Sequence, residues 1–176
     1  MRNRLATAVI AGALWAGCGD EGAMSSVELG EGASASLLGK SGNTSLSGTA
    51  TFSGGPGQVQ ITVNVSGAPA GMLGLHIHEK GDCSAPDAMS AGGHWDPAMA
   101  MHAAPGARAH LGDLGNITIG ADGKGTLAAS NALWELDTGT SKDVVGKAVV
   151  VHGMPDDLTS QPAGNAGARI GCGEIK

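Results

Sequence analysis

Apolar and polar residues alternate along the middle of the chain with the two-residue period of half-buried strands. The longest such run is Val59-Gln60-Ile61-Thr62-Val63-Asn64-Val65, and Ala50-Thr51-Phe52 repeats the pattern upstream. Gly54-Gly55-Pro56-Gly57 lies between them and predicts a hairpin whose turn exceeds the two-residue minimum. Four further strands are expected over residues 73–78, 114–119, 126–134 and 147–152, with Ala121-Asp122-Gly123-Lys124-Gly125 as a turn ahead of the third. Two long stretches, 80–110 and 153–168, show no period. Loops of that length in a compact domain are uncommon, and are usually functional or disordered. No internal repeat is evident. Short strands, frequent turns and two elaborated loops predict an all-β fold, a Greek-key β-sandwich or flattened barrel.

The start of the chain departs from this pattern. Arg2 and Arg4 precede an apolar stretch from Ala6 to Trp15, which is too short to span a bilayer, so residues 1–17 are expected to be an export signal. Leu14-Trp15-Ala16-Gly17-Cys18 resembles the bacterial lipoprotein box, with Trp15 in place of the usual Leu. That resemblance implies cleavage before Cys18 and lipid on it; several acyl chains on one residue would hold the protein to a membrane. The alternative is an ordinary cleaved signal with Cys18 incidental. Residues 18–33 are rich in Gly, Ser, Ala and Glu and suggest a flexible tether. The domain proper is expected over 34–176.

Composition agrees with many turns and a small-residue core. Among 176 residues there are 31 Gly, three Trp, one Phe and no Tyr, so Val, Ile, Leu, Ala and Met must supply the interior. The net charge is −6; loss of Arg2 and Arg4 leaves eight basic residues against sixteen acidic ones, or −8. No basic run occurs, so nucleic acid is not an expected partner. An anionic substrate would need a local positive guide on such a surface.

The candidate chemistry lies in six histidines: His76, His78, His94, His102, His110 and His152. On a strand, His76 and His78 project from one face while Leu75 and Ile77 enter the core. His152 ends the apolar run Ala148-Val149-Val150-Val151 and could meet that pair across the sheet. His94, His102 and His110 recur at intervals of eight and are followed by Asp113. Three imidazoles and one carboxylate match the ligand set of a closed tetrahedral zinc site. Each histidine alone is ordinary; none falling outside these groups is what points to metal.

Several segments together resemble one known family. Gly74-Leu75-His76-Ile77-His78-Glu79-Lys80-Gly81-Asp82-Cys83, Ser90-Ala91-Gly92-Gly93-His94, His110-Leu111-Gly112-Asp113-Leu114-Gly115-Asn116, Val149-Val150-Val151-His152 and Gly164-Asn165-Ala166-Gly167-Ala168-Arg169-Ile170-Gly171-Cys172-Gly173 are similar to the copper/zinc superoxide dismutases, of the bacterial type. The resemblance covers almost all of 34–176. It implies an immunoglobulin-like sandwich, superoxide as substrate, copper on His76, His78, His94 and His152, and zinc on His94, His102, His110 and Asp113. His94 would bridge the metals and take part in catalysis. Four nitrogens suit copper(II), and the mixed set suits zinc.

The same resemblance implies roles for further residues. Asp156 would be a carboxylate behind the ligands, hydrogen-bonded to His76 and His102. Arg169 would guide superoxide to the copper, against the reading of a mere surface cation. Cys83 and Cys172 would form a disulfide, which requires an oxidising compartment and fits export to the periplasm or cell envelope. Met99 and Met101 flank His102; loop packing is the expected role, with copper(I) capture by thioethers as the other. Trp95 and Asp96 stand where the family commonly has Phe and Asn. Two other functions remain to be weighed: a non-catalytic copper-binding or copper-delivery module on the same fold, and a lipid-anchored domain stabilised by zinc alone. A homodimer is one of several assemblies compatible with the sequence.

Overall fold

The computed structural model describes residues 32–55, 57–106 and 108–176. The expected signal segment, Cys18 and the tether as far as residue 31 lie outside them. Eight antiparallel strands form the domain: β1 (Ala33–Gly39), β2 (Ser47–Gly55), β3 (Gln58–Ser66), β4 (Gly71–His78), β5 (Asp113–Ile119), β6 (Gly125–Asn131), β7 (Ala148–His152) and β8 (Arg169–Glu174). They hydrogen-bond in the order β5-β4-β7-β8-β1-β2-β3-β6. The chain therefore crosses between the two halves after β3, after β5 and again after β6. This is the Greek-key pattern, with β1 and β8 closing one side and β5 and β6 as the sheet's edges.

The two-residue period explains the core. Along β3, Val59, Ile61, Val63 and Val65 are buried and every intervening residue is exposed. They pack with Ala50 and Phe52 of β2, with Leu73, Leu75 and Ile77 of β4, and with Ile117 and Ile119 of β5. Valine and isoleucine suit this pleated interior because their branched side chains pack well on a sheet.

Two elements differ from the sequence-based expectation. No strand is expected over β1, whose Ala33-Ser34-Ala35-Ser36 start alternates small residues and carries little apolar contrast. It nevertheless pairs with β2 from Ala33↔Phe52 to Leu38↔Ser47 and touches β8 at Leu38↔Cys172. β6 stops at Asn131, before Trp134. Trp134 turns inward instead, edge-on to Phe52 at 6.4 Å, and its Nε1–H donates to the Leu111 carbonyl at 2.8 Å.

β4 and β7 depart from simple alternation in a way that creates the site. From Leu73 to His78 every residue is buried, and so are all five of β7. One face of these strands meets the core; the other is covered by the long connections over 79–112 and 153–168. No helix among the described residues is long and apolar enough to cross a membrane.

Candidate metal centre

The covered face of β4 presents His76 and His78, with Val150 and Ala148 of β7 as their partners across the ladder. His152 follows a register shift at the end of β7, which sets it opposite Arg169 of β8. His94 arrives from the long loop through an isolated bridge to His78. Its neighbourhood is fastened by three backbone bonds: Trp95 N–H to the Ile77 carbonyl, Gly112 N–H to the Trp95 carbonyl and Ile77 N–H to the Gly112 carbonyl, all at 2.8–2.9 Å. Gly112 allows this because a Cβ there would collide with the Ile77 carbonyl.

One ring nitrogen of each imidazole at the β4 face is anchored or committed, which leaves the other to face inward. His78 Nδ1–H donates to the Gly92 carbonyl at 3.0 Å, and His152 Nδ1–H to the Gly167 carbonyl at 3.3 Å. Their Nε2 atoms approach within 3.4 Å of each other. His76 instead uses Nε2, donating to Asp156 Oδ2 at 2.8 Å. His94 Nδ1 lies 2.8 Å from Asp113 Oδ1. Outer partners such as Gly92, Gly167 and Asp156 set tautomer and ring direction at metal sites.

The loop histidines converge on Asp113. Its Oδ1 lies 3.0 Å from His102 Nδ1 and 3.3 Å from His110 Nδ1, while Oδ2 accepts the backbone N–H groups of Ala103 and His110. His102 Nε2 reaches Asp156 Oδ1 at 2.9 Å, so Asp156 joins His76 to His102. One ligand atom from each of His76, His78, His94 and His152 lies within 4.8 Å of the others, and the same holds for His94, His102, His110 and Asp113. His94 belongs to both groups.

A fit to metal can be tested on the nitrogens that remain. His76 Nδ1, His94 Nε2 and His110 Nδ1 are buried without a hydrogen-bond partner. An orphaned buried polar atom costs about 1–3 kcal/mol, and three of them aimed into two adjoining donor clusters fit two cations. The tetradentate nitrogen set suits copper, and the three-nitrogen, one-oxygen set suits zinc.

Electrostatics favour ligating forms. Burial pushes His78 well below the usual imidazole range, His94 down to about 4 and His152 down to about 3. These rings are therefore neutral near pH 7, as a ligand must be. Burial opposes ionisation of Asp156, but hydrogen bonds from His76, Leu158 and His102 outweigh it and hold the acid down to about 2. Asp113 behaves alike: burial is outweighed by His94, His102 and His110, which lower it. His102 is desolvated too, yet its two carboxylate neighbours raise it overall.

The other sequence candidates divide. Cys83 and Cys172 are bonded, with Cα atoms 5.8 Å apart. Arg169 is half-buried, and its Nη1 donates to the Ala88 carbonyl at 2.8 Å. Met99 and Met101 do not pack into the loop as expected: they are 91% and 64% exposed. Trp95 is buried and donates through Nε1 to the Ser141 carbonyl, and Asp96 Oδ2 stands 4.0 Å from His110 Nε2.

Three supporting residues have no role in the sequence reading, although Asn116 and Gly164 lie within the segments that carry the family resemblance. Asn116 donates to the Asp156 carbonyl and accepts the Asp156 N–H. Gln161 clasps the backbone of His102, accepting its N–H at 2.9 Å and donating to its carbonyl at 2.8 Å. Gly164 lies against Asp156 and His102.

Comparison with known proteins agrees with this architecture. The family described as copper/zinc superoxide dismutase (SODC) matches residues 46–175. A superoxide dismutase [Cu-Zn] of Deinococcus radiodurans is 42% identical over 151 residues, covering 79% of this chain and 81% of that protein. An extracellular superoxide dismutase [Cu-Zn] of Caenorhabditis elegans is 40% identical over 139 residues, 75% of this chain and 62% of that protein. Among solved structures, the clock protein EA4 superposes with a TM-score of 0.72 at 32% identity, covering 82% of this chain and 92% of that one. A SOD-like protein from Bacillus subtilis gives 0.68 at 32% identity, covering 80% and 95%. The chain belongs to the copper/zinc superoxide dismutase family. Copper and zinc are accordingly its cofactors.

Proposed function

We propose that this protein disproportionates superoxide, converting two superoxide ions and two protons into oxygen and hydrogen peroxide. In this reading His76, His78, His94 and His152 hold copper, and His94, His102, His110 and Asp113 hold zinc. The observation that carries it is the pair of four-donor groups sharing His94, with partnerless buried nitrogens at their centres. Bound copper supplies the one-electron redox chemistry, and zinc supplies charge and local order.

The chain's own residues do the rest. Asp156 keeps His76 and His102 directed, because one carboxylate receives both rings. His94 Nε2 is the atom at which a proton can be held for delivery to the second superoxide. Arg169, opposite His152, offers a cation to an anion approaching a protein of net charge −6. A copper-delivery module is less favoured, since the full donor set and the arginine are all retained; a zinc-only domain would leave His76, His78 and His152 idle.

Metal analysis with a superoxide-consumption assay tests this. One copper and one zinc per chain with rapid consumption is expected; both metals bound without activity would defeat the enzymatic reading. Arg169→Glu is expected to keep both metals while losing about tenfold or more in rate, together with the normal slowing by salt. Kinetics identical to the parent would remove the guide role.

The domain is assigned to 33–176, one residue earlier than the sequence suggests because β1 begins at Ala33, behind a signal over 1–17 and a tether from Cys18, with lipid on Cys18 anchoring it in the periplasm or cell envelope. The Cys83–Cys172 bond supports export, since such bonds persist in oxidising compartments. Intact-mass measurement of the mature protein is expected to give a chain beginning at Cys18 and carrying acyl groups. A mass without acyl groups would leave Cys18 incidental.

A further inference from the structure

The cation that meets the substrate is held by a loop, and that loop is held in turn by the connection after β1. Arg169 Nη1 donates to the Ala88 carbonyl at 2.8 Å. Ala88 is fully buried and left-handed, at φ 57°, inside the segment that begins at Cys83. Two bonds from Lys40 and Ser41 grip this segment. Lys40 Nζ donates to the Cys83 carbonyl at 2.5 Å, and the Ser41 N–H donates to the Pro86 carbonyl at 2.9 Å.

Lys40 also reaches the other side of the arginine. Its backbone N–H donates to the Ile170 carbonyl at 2.8 Å, one residue from Arg169. Thus one residue fastens both the strand that carries the guanidinium and the loop that carries its acceptor. The ammonium is half-buried, so its bond to a carbonyl is charge-assisted and weakly screened. The disulfide secures the Cys83 side chain; Lys40 secures its carbonyl.

We propose that Lys40 is a positioning residue for Arg169, setting how well the guanidinium meets an anion at the copper. This rests on reading Arg169 as the anion guide. The role is not direct attraction of substrate, because the Lys40 ammonium is committed to a backbone carbonyl.

The test uses the copper- and zinc-loaded protein and azide as the anion, with affinity followed by the visible absorption of copper(II). Lys40→Met is expected to weaken azide about fivefold, the scale of one lost hydrogen bond. Lys40→Arg should restore a donor and most of the affinity. Lys80→Met removes the same charge from an exposed residue at the start of the same long loop, and is expected to change affinity less than about twofold. The Lys40→Met loss should persist at about 1 M ionic strength, where a through-space charge effect is screened. Arg169→Ala is measured alongside, with a loss of about tenfold or more expected. If Arg169→Ala weakens azide while Lys40→Met matches Lys80→Met, the positioning role is wrong and the guide role survives. If Arg169→Ala changes nothing, the guide role fails and the Lys40 proposal falls with it.

Discussion

Replacing Gly164 with alanine is expected to loosen both metal groups at once and to be among the most damaging single-methyl additions in the protein. Gly164 has φ +62°, a conformation that already costs a non-glycine residue roughly 1–2 kcal/mol. A Cβ there would overlap Asp156 Oδ1, and would lie 2.6 Å from His102 Nε2 and 2.7 Å from Asp156 Cγ. The backbone cannot retreat easily. Its N–H is bound to the Ser160 carbonyl at 2.7 Å, and its carbonyl accepts from Asp157 at 2.8 Å. The carboxylate must therefore yield, and yielding breaks its bonds to His76 and His102. Each buried charge-assisted bond is worth about 1.5–3 kcal/mol, so a total near 3–6 kcal/mol is expected. Loss of an outer partner of this kind commonly weakens metal affinity about 10–100-fold. Chelator competition for zinc, with thermal unfolding of the metal-free protein, measures both effects. Gly139→Ala is the control: its φ is +69° but nothing lies within 4 Å of the added carbon, so only the backbone cost should appear. Equal effects for the two variants would show that the Asp156 contact is unimportant.

How far such a site can be read in advance depends on whether its residues obey a period. The β3 run and the His76/His78 pair were legible because strand geometry sends alternate residues to opposite faces. β1 was not, since its Ala-Ser alternation barely separates apolar from polar positions; its pairing with β2 and β8 decides it. Trp134 misled for the opposite reason. It is a strong strand former by type, yet it is used to seal the barrel against Phe52. In the long loops no period exists, and family resemblance alone singled out Asp156. Asn116, though inside a family-like segment, and Gln161 act through partners 40 and 59 residues away, so neither position reveals its role. The exposed Met99 and Met101 make the same point in reverse: apolar residues in an aperiodic loop need not be buried.

Removing the disulfide by Cys83→Ser with Cys172→Ser is expected to lower global stability by a comparably large amount, and to reach Arg169 as well. The two cysteines are 89 residues apart, so closure of that loop in the unfolded chain accounts for roughly 4–5 kcal/mol in the chain-entropy treatment. Packing adds to this. Cys172 is buried in a small cluster with Ala88, Ala91, Ala148 and Val150, where a serine hydroxyl finds only apolar side chains. For a domain of this size about 4–5 kcal/mol corresponds to a fall of roughly 10–20 °C in Tm. Ala88 belongs to that same cluster, and its carbonyl is the acceptor that holds Arg169. Loosening the cluster should therefore lower superoxide capture before it empties the metal sites, because His76, His102 and His152 are fastened separately by Asp156 and Gly167. Denaturant unfolding and steady-state kinetics at matched metal content follow the two effects. A stability loss under about 1 kcal/mol would mean that the unfolded chain gains little freedom when the bond is absent. Unchanged kinetics alongside a large stability loss would mean that Lys40 and Ser41 suffice to hold the loop. The separation of the two readouts follows from the fold, since the disulfide ties β8 to the first part of the 79–112 connection, beneath Arg169, while the candidate metal donors hang from β4, β7, the start of β5 and the later part of that connection.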